Sequence, residues 1–297
     1  MRRDDIGVQL SGSLREFRRD LHRHPELRFQ EVRTAQRVAE RLQGLGLEVE
    51  TGRAKTGVLA RLPGAGRGPH VLLRADMDAL PTDDLKSVSY ASANEGITHA
   101  CGHDVHTTVV LGVAEVLAER PASAGAVTFV FQPAEEIPFG EESGGQAMVD
   151  TGLLDDVDVV LGLHCWPALQ AGTIGVDSEI AMAAKSAFRI VVHGTGAHAA
   201  TPSKGRDALL AASSIVVHLN QLLGREVDPG GRAAVNVGTF ASGRSQSIVA
   251  PTAELTGTIR TADPVLAKRL RQAVSRVVSG VAVAADVEAT VEWKNDM

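Results

Sequence analysis

The segment THACGHDVHT, residues 98–107, concentrates side chains that bind transition metals. It holds three histidines, a cysteine and an aspartate, although the 297-residue chain has only 10 histidines and 2 cysteines in total. Thiolate and imidazole are ligands that zinc and similar divalent ions prefer. Cys101 and His103, just before a predicted helix, are therefore candidate metal ligands. His106 lies on the same helix face as His103, and we expect it to pack or to support a ligand.

Three apolar segments, each predicted to be a buried strand, lead into further residues of metal-binding type. These segments and residues are HVLLRAD (70–76) with Asp76 and Asp78, AVTFVFQ (126–132) with Glu135 and Glu136, and VDVVLGLH (157–164) with His164. In open α/β sheets, ligands and catalytic groups gather at the carboxyl ends of the strands. We therefore expect these strand ends and the Cys101 segment to converge on one site.

The number of candidate ligands exceeds the four that a single structural zinc needs, which favours two bridged metal ions. The adjacent Glu135 and Glu136 can divide the work, because neighbouring side chains on an irregular segment point in different directions. One can bind a metal while the other accepts a proton from the attacking water. Taken singly, a histidine at a strand end or a pair of glutamates is more often structural or solvated. The metal interpretation rests on their combination.

The elements that must position these residues follow an α/β pattern in the first part of the chain. Apolar residues at helical spacing predict a helix over 11–43 that Pro25 interrupts. Strands are predicted at 47–51 and 57–62, and a further helix at 107–120. Apolar strands that alternate with helices predict a layered α/β sheet. Four histidines outside the candidate site are interpreted as structural: His22, His24, His70 and His218.

The pattern changes near residue 180, where a second domain is predicted. The predicted elements are a strand at 185–194, a helix at 206–224, strands at 233–240 and 252–261, a helix at 264–280 and a strand at 285–293. This order is βαββαβ, the split βαβ or ferredoxin-like arrangement. We therefore expect a catalytic domain over 1–180 and a smaller domain over 181–294.

Composition argues against several classes of partner. The net charge is −6 and no basic tract stands out, so neither nucleic acid nor an anionic membrane is expected as a partner. The N-terminal segment MRRDDIGVQL lacks the apolar core of a signal peptide, and no apolar run is long enough to span a bilayer. Two cysteines do not make a disulfide framework, so the predicted location is the cytoplasm.

Together these segments resemble the co-catalytic metal amidohydrolases, which include hippurate hydrolases, aminoacylases, indole-acetyl-amino-acid hydrolases and N-acetyl-diaminopimelate deacetylases. The resemblance runs in order along nearly the whole chain. The segments that carry it are RRDLHRHPEL (18–27), RADMDALP (74–81), HACGHDVHTT (99–108), FQPAEE (131–136), LGLH (161–164), GAHAATP (196–202), VNVGTF (235–240) and GTIRT (257–261).

The resemblance implies a zinc-peptidase-like catalytic domain that holds two divalent metal ions, with zinc as the first choice and manganese, cobalt or nickel as alternatives. Four residues match four of the family's five metal-ligand positions: Cys101, His103, Glu136 and His164. Glu135 matches the general base, and Asp78 matches the acidic residue that steadies the site.

The resemblance also implies that the βαββαβ part is an inserted lid through which the protein forms a homodimer. In the lid, His198 matches a histidine that reaches a neighbouring active site and stabilises the oxyanion. Asn236 and Arg260 match positions that contact the carboxylate end of the substrate, for which an arginine is well suited.

Two features depart from the family pattern. Ser247 stands where the family usually carries an asparagine before Pro251. The fifth ligand is a histidine in a later strand–helix segment of the catalytic domain, and no histidine follows His218. We therefore expect a C-terminally truncated catalytic domain that exposes a sheet edge and an apolar face, with low stability and weak activity.

The expected reaction is metal-dependent hydrolysis of an N-acyl amino acid, hippurate-like or N-acetylated, to a carboxylate and a free amino acid. The partner would be this small molecule. Two alternatives stay open at this point. One is a truncated relative that binds metal or dimerises without catalysis, and the other is a metallo-dipeptidase with the same metals and a different substrate.

Overall fold

The computed structural model describes residues 3–119, 124–176 and 182–296. It divides into two compact units, Met1–Ala171 and Gly172–Met297. The predicted boundary between residues 180 and 181 lies outside the described residues, so the predicted domain limits stay a prediction. Within the described part of the chain, no helix combines the length and the apolarity needed to cross a membrane.

The first unit is a mixed sheet with helices, as the sequence predicts. Its elements are α1 (Arg3–Arg23), α2 (Val32–Gly44), β1 (Glu48–Arg53), β2 (Gly57–Pro63), β3 (His70–Asp76), α3 (His103–Glu119), β4 (Ala126–Gln132), α4 (Gly144–Val149) and β5 (Val159–Gly162). The strand order is β1-β2-β4-β3-β5. β3 is parallel to β4 and β5, whereas β2 is antiparallel to β1 and β4. The predicted break at Pro25 is confirmed, because it lies between α1 and α2.

The central strand β4 is buried on both faces, which explains its continuous apolar sequence. Phe129 and Phe131 belong to a cluster that also contains buried residues of α1, α2 and α3. On the other face, Val130 packs in a smaller cluster with Leu72 and Met148. This double burial holds β4 firmly beside β3, and so fixes where the carboxyl ends of both strands lie.

Helix α3 begins at His103, four residues earlier than the start predicted at 107. The prediction rested on apolar periodicity, and the first turn of α3 is polar, so the pattern could not show it. Gly102 precedes the helix with a φ of +87°. The candidate ligand His103 is therefore the first residue of a helix, fixed by the helix backbone.

The prediction that 157–164 forms a buried strand is wrong. β5 covers only Val159–Gly162, and the side chains of Val159, Val160 and Leu161 are 42%, 54% and 50% exposed. β5 pairs with β3 and lies at the edge of the sheet as the structure describes it. Successive side chains of a strand point to opposite faces of the sheet, so the exposure of consecutive residues shows that the described residues leave both faces of β5 partly uncovered.

The second unit forms a four-stranded antiparallel sheet with two helices. Its elements are β6 (Ala184–His193), a 3₁₀ turn (Pro202–Lys204), α5 (Ala208–Glu226), β7 (Ala233–Ser242), β8 (Thr252–Thr261), α6 (Pro264–Ala285) and β9 (Glu288–Asp296). The strand order is β7-β8-β6-β9. One core contains Phe188 and Leu255 of the sheet with Ile215 of α5 and Leu270 of α6. The assignment of this unit as a ferredoxin-like lid stays a prediction.

An exposed apolar edge strand is a template for pairing with another chain, so we predict that Val160→Lys reduces self-association. Because Val160 is already half exposed, the free energy of unfolding should change by no more than about 0.5 kcal/mol. The measurement is light scattering against protein concentration. The matched control is Val109→Lys, which replaces an exposed valine on helix α3 instead of on strand β5. An equal effect of both substitutions would contradict the edge-pairing explanation.

Candidate metal centre

The parallel pairing of β3 with β4 and β5 brings three strand ends to one edge of the sheet. Asp76 pairs with Gln132, and Arg74 pairs with Gly162. The chain segments that follow these strands therefore leave the sheet side by side. They carry Asp78, the two adjacent glutamates and the candidate histidine, as the sequence predicts.

Three predicted ligands lie in one group. Donor atoms of Cys101, His103 and Glu136 all lie within 4.8 Å of one another. His164 is adjacent, because its Nε2 lies 3.5 Å from Cys101 Sγ. Its Nδ1–H donates to the main-chain oxygen of Cys165 at 2.7 Å, which leaves Nε2 as the nitrogen that faces the thiol. Cys101 thus contacts candidate ligands on both sides, as a bridging ligand would.

Asp78 connects two of these ligands from a fully buried position. Its Oδ1 lies 3.2 Å from His103 Nδ1, and its Oδ2 accepts the Glu136 N–H at 2.8 Å. Burial disfavours protonation of His103, but hydrogen bonds with Asp78 and Cys101 and the charge of Asp76 outweigh it and raise the pKa of His103 to about 11. These contacts support the role that the resemblance implies for Asp78, and that role stays a prediction.

The other ring nitrogen of His103 identifies what the group can hold. His103 Nε2 is buried and has no hydrogen-bond partner among the described residues. It lies 3.6 Å from Asp76 Oδ2 and 4.0 Å from Glu135 Oε2. Buried polar atoms are nearly always satisfied. A divalent ion that displaces the Nε2 proton would satisfy this nitrogen and bind the thiolate and the carboxylate as well. The residues therefore fit a divalent metal ion.

Both ring nitrogens of His106 form hydrogen bonds within the protein. Its Nε2 accepts the Cys165 N–H at 2.9 Å, so the ring proton lies on Nδ1, which donates to Asp76 Oδ1 at 2.7 Å. Burial acts to raise the pKa of Asp76, but this hydrogen bond and the charges of His103 and Arg74 outweigh it and hold the pKa well below its usual range. Both bonds support the packing and supporting role expected of His106, which stays a prediction.

Glu135 lies at the open side of the group, with a side chain that is 33% exposed. Burial, followed by the negative charge of Glu136, raises the pKa of Glu135 above its usual value. A carboxylate with a raised pKa accepts a proton more readily, which suits a general base. The residue before it, Ala134, has a φ of +47°, in the left-handed region that alanine rarely adopts.

A second buried network lies beneath the Cys101 segment. His22 Nδ1 lies 2.6 Å from Asp104 Oδ2, and His22 Nε2 lies 3.3 Å from Asp84 Oδ2. Arg18 contacts Asp104 from the surface side at 2.9 Å. This arrangement agrees with the structural interpretation of His22 and explains the RRDLHRHPEL segment. The segment supplies Arg18 and His22 to support the first turn of α3.

Sequence reasoning missed two residues near the centre. Cys165 Sγ lies 3.5 Å from the main-chain oxygen of Cys101, and burial followed by the charge of Cys101 raises the pKa of the Cys165 thiol. Its position directly after His164 was the available signal. Glu31 is fully buried and its Oε1 accepts the Ala134 N–H at 2.8 Å, a contact across 103 residues that no local pattern shows.

The three residues predicted to contact substrate lie in the second unit. Asn236 is on β7 and Arg260 on β8, and both are exposed. Asn236 pairs with Thr258 and Ala234 with Arg260, so the two side chains are diagonal neighbours on the same face of the sheet. His198 is exposed in a loop, where its Nδ1 accepts the Ala200 N–H at 3.0 Å. Their roles stay predictions.

Comparison with known proteins gives concordant matches. A model of the family described as peptidase family M20/M25/M40 matches residues 72–293. An N-acyl-L-amino acid amidohydrolase of Geobacillus stearothermophilus is 41% identical over 267 residues, which cover 89% of this chain and 71% of that protein. An N-acetyl-L-cysteine deacetylase of Bacillus subtilis (strain 168) is 37% identical over 278 residues, which cover 93% of this chain and 66% of that protein.

Solved structures include a Bacillus subtilis protein described as a dinuclear metal binding peptidase from the M20 family. The match has a TM-score of 0.78 and 33% sequence identity, and covers 98% of this chain and 75% of that one. The chain thus spans about two thirds of the length of the curated relatives described above, 66% for the deacetylase and 71% for the amidohydrolase.

Because Gly102 has no side chain, the sulfur of Cys165 can lie close to its backbone. We predict that Gly102→Ala disrupts the metal centre. A Cβ at this position would lie 2.3 Å from Cys165 Sγ, in addition to the strain of a positive φ. The control Gly96→Ala has a φ of +73° and open space, so it should cost only the left-handed strain of about 1–2 kcal/mol. The measurement is the free energy of unfolding in urea.

The double variant Gly102→Ala with Cys165→Ala separates two costs, the backbone strain of a positive φ and the steric overlap of the new Cβ with the Cys165 sulfur. The Cβ of residue 165 lies 3.9 Å away, at ordinary contact distance, so removing the sulfur should return the cost to that of the control. If Gly102→Ala is no more destabilising than Gly96→Ala, the collision does not matter and the prediction is wrong.

Proposed function

The chain belongs to peptidase family M20/M25/M40, and from this membership and the geometry of the metal centre we propose that it hydrolyses N-acyl amino acids in a metal-dependent reaction. The predicted family and the predicted class of reaction, hydrolysis of an amide bond, are confirmed by the matches to an amidohydrolase and a deacetylase. The observation that carries the proposal is the buried, unpartnered His103 Nε2 beside Cys101 and Glu136.

We propose two divalent metal ions, with zinc as the first choice and manganese, cobalt or nickel as alternatives. The support is the set of donors, a thiol, two imidazoles and a carboxylate, arranged so that Cys101 faces both His103 and His164. The similar Bacillus subtilis structure is itself described as dinuclear. When bound, such ions polarise a carbonyl group and make water more acidic. Asp78 would orient His103 for this task.

Glu135 is the proposed general base. It would accept a proton from the attacking water and deliver that proton to the leaving nitrogen, as the amide C–N bond breaks and a carboxylate and an amine form. Its raised pKa and its position 4.0 Å from His103 Nε2 support this assignment. Glu136 lies with Cys101 and His103 and would bind metal, so the two glutamates divide the work.

His198, Asn236 and Arg260 are proposed to act on the substrate. His198 would stabilise the oxyanion, and the diagonal pair on the exposed sheet face would bind the carboxylate of the amino acid. A lid role for the second unit, a homodimer formed through it and a cytoplasmic location stay predictions. The names of the relatives do not favour the alternatives, a non-catalytic relative or a metallo-dipeptidase.

Cobalt binding tests the thiol assignment. A thiolate bound to Co²⁺ absorbs in the near ultraviolet by charge transfer, so the Co²⁺-loaded chain should show this band. We predict that Cys101→Ser removes the band and that the matched control Cys165→Ser retains it, because Cys101 lies with His103 and Glu136. The measurement is absorption during Co²⁺ titration. Loss of the band in the control alone would transfer the ligand assignment to Cys165.

Glu135→Gln tests the base. The amide cannot accept a proton, so we predict a fall in kcat of at least about 100-fold with unchanged metal content. The assay is hydrolysis of N-acetyl, N-benzoyl and indole-acetyl amino acids, with metal measured by mass spectrometry. Glu142→Gln, on the same segment and exposed, is the matched control. Retained turnover in the Glu135 variant would remove Glu135 from this role.

A further inference from the structure

Glu31 immediately precedes α2, yet its carboxylate does not cap the N-terminus of that helix. The free N–H groups at the start of α2 are bonded by Glu26, which accepts from Arg33 N–H at 3.0 Å and from Thr34 N–H at 2.7 Å. Glu31 is fully buried, and its side chain is directed elsewhere. Burying a carboxylate is costly unless it is hydrogen-bonded. Because this one does not cap the adjacent helix, its role must lie with the residues that it contacts.

Those contacts are two hydrogen bonds to distant parts of the chain. Oε2 of Glu31 accepts the hydroxyl of Thr56 at 2.6 Å. Oε1 accepts the N–H of Ala134 at 2.8 Å, two residues before the proposed ligand Glu136. The first bond stays within the α2 and β2 region, whereas the second reaches the segment that carries the proposed base and ligand.

Ala134 is the residue whose conformation needs an anchor. It is fully buried and has a φ of +47°, a conformation that costs energy for any residue with a side chain. Its N–H is held by Glu31, and its carbonyl accepts the Gly144 N–H at 2.9 Å. Both main-chain groups are therefore tied, so the surrounding structure determines the turn that leads from β4 into Glu135.

We propose that Glu31 is a positioning residue of the metal centre, which holds Ala134 in its left-handed turn and thereby aims Glu135 and Glu136. The inference rests on the proposed function for its chemical meaning. Glu31 anchors the segment at Ala134 and Asp78 anchors it at Glu136, whose N–H it accepts. Glu135 lies between these two buried carboxylates, and its backbone is held on both sides.

The variant Glu31→Met removes both hydrogen bonds while retaining most of the volume. The matched control Thr56→Val removes only the bond to Oε2 and leaves the bond to Ala134. Glu31→Gln is the conservative variant: its oxygen can still accept from Ala134, and the Thr56 hydroxyl can accept from its amide.

Two readouts separate positioning from stability. The first is hydrogen exchange of the Ala134 amide in the metal-free chain, where we expect Glu31→Met to lose protection and both other variants to keep it. The second is Co²⁺ affinity and absorption, where Glu31→Met should bind about 10- to 100-fold more weakly with an altered spectrum. The other two variants should match the unaltered chain in both measurements.

The proposal is overturned if Glu31→Met keeps Ala134 protection and Co²⁺ affinity, or if Thr56→Val loses as much of both. If the unaltered chain binds no Co²⁺, the proposed function fails, and exchange at Ala134 alone decides the inference. If Glu31→Met does not fold, Glu31→Asp replaces it. Its carboxylate is set back by one methylene from the Ala134 N–H, so this bond should lengthen and the protection of Ala134 should fall.

Discussion

The buried carboxylate of Asp78 joins the two halves of the metal centre. One oxygen contacts the His103 ring at the start of α3, and the other accepts the Glu136 N–H beyond β4. Removing such a group leaves its buried partners unpaired, which costs about 1–3 kcal/mol for each one. Asp78 can reach both only because β3 and β4 are parallel and end together, with Asp76 paired to Gln132. The centre thus depends on strand register as much as on its ligands.

This geometry concentrates four carboxylates, and their mutual repulsion has to be offset. Side chains of the protein itself balance the negative charge of two of these carboxylates. Asp76 accepts from Arg74 at 2.7 Å and from a histidine of α3, and Asp78 contacts the second histidine of that helix. Among the described residues, no arginine or lysine forms an ion pair with Glu135 or Glu136, and burial, followed by the negative charge of Glu136, raises the pKa of Glu135. The supporting carboxylates are neutralised and the two proposed to act are not. That distribution leaves room for a divalent cation to neutralise them.

The parts of this site that follow local rules could be predicted from the sequence, and the parts that depend on distant contacts could not. Apolar runs that end in acidic residues place β3, β4 and their carboxyl ends, since parallel strands meet at one edge. The exposure of β5 was mispredicted, because composition reports apolarity but not whether the two faces of a strand are covered. Glu31 was missed because its importance arises from a contact 103 residues away. Cys165 was missed because its contact with Cys101 spans 64 residues and its place after His164 was the sole local signal.

Apart from His103, which begins α3, the proposed ligands lie on irregular segments. Such segments are ordinarily more mobile than strands, yet a metal centre requires placement within about 0.5 Å. Three buried acceptors resolve this conflict in the same way. Glu31 accepts the Ala134 N–H, Asp78 the Glu136 N–H, and His106 the N–H of the residue after His164. Each acts on the main chain and leaves the ligand's own donor atom free. The backbone is therefore ordered before a cation arrives, and the side-chain atoms that would bind it are not occupied by the bonds that hold them in place.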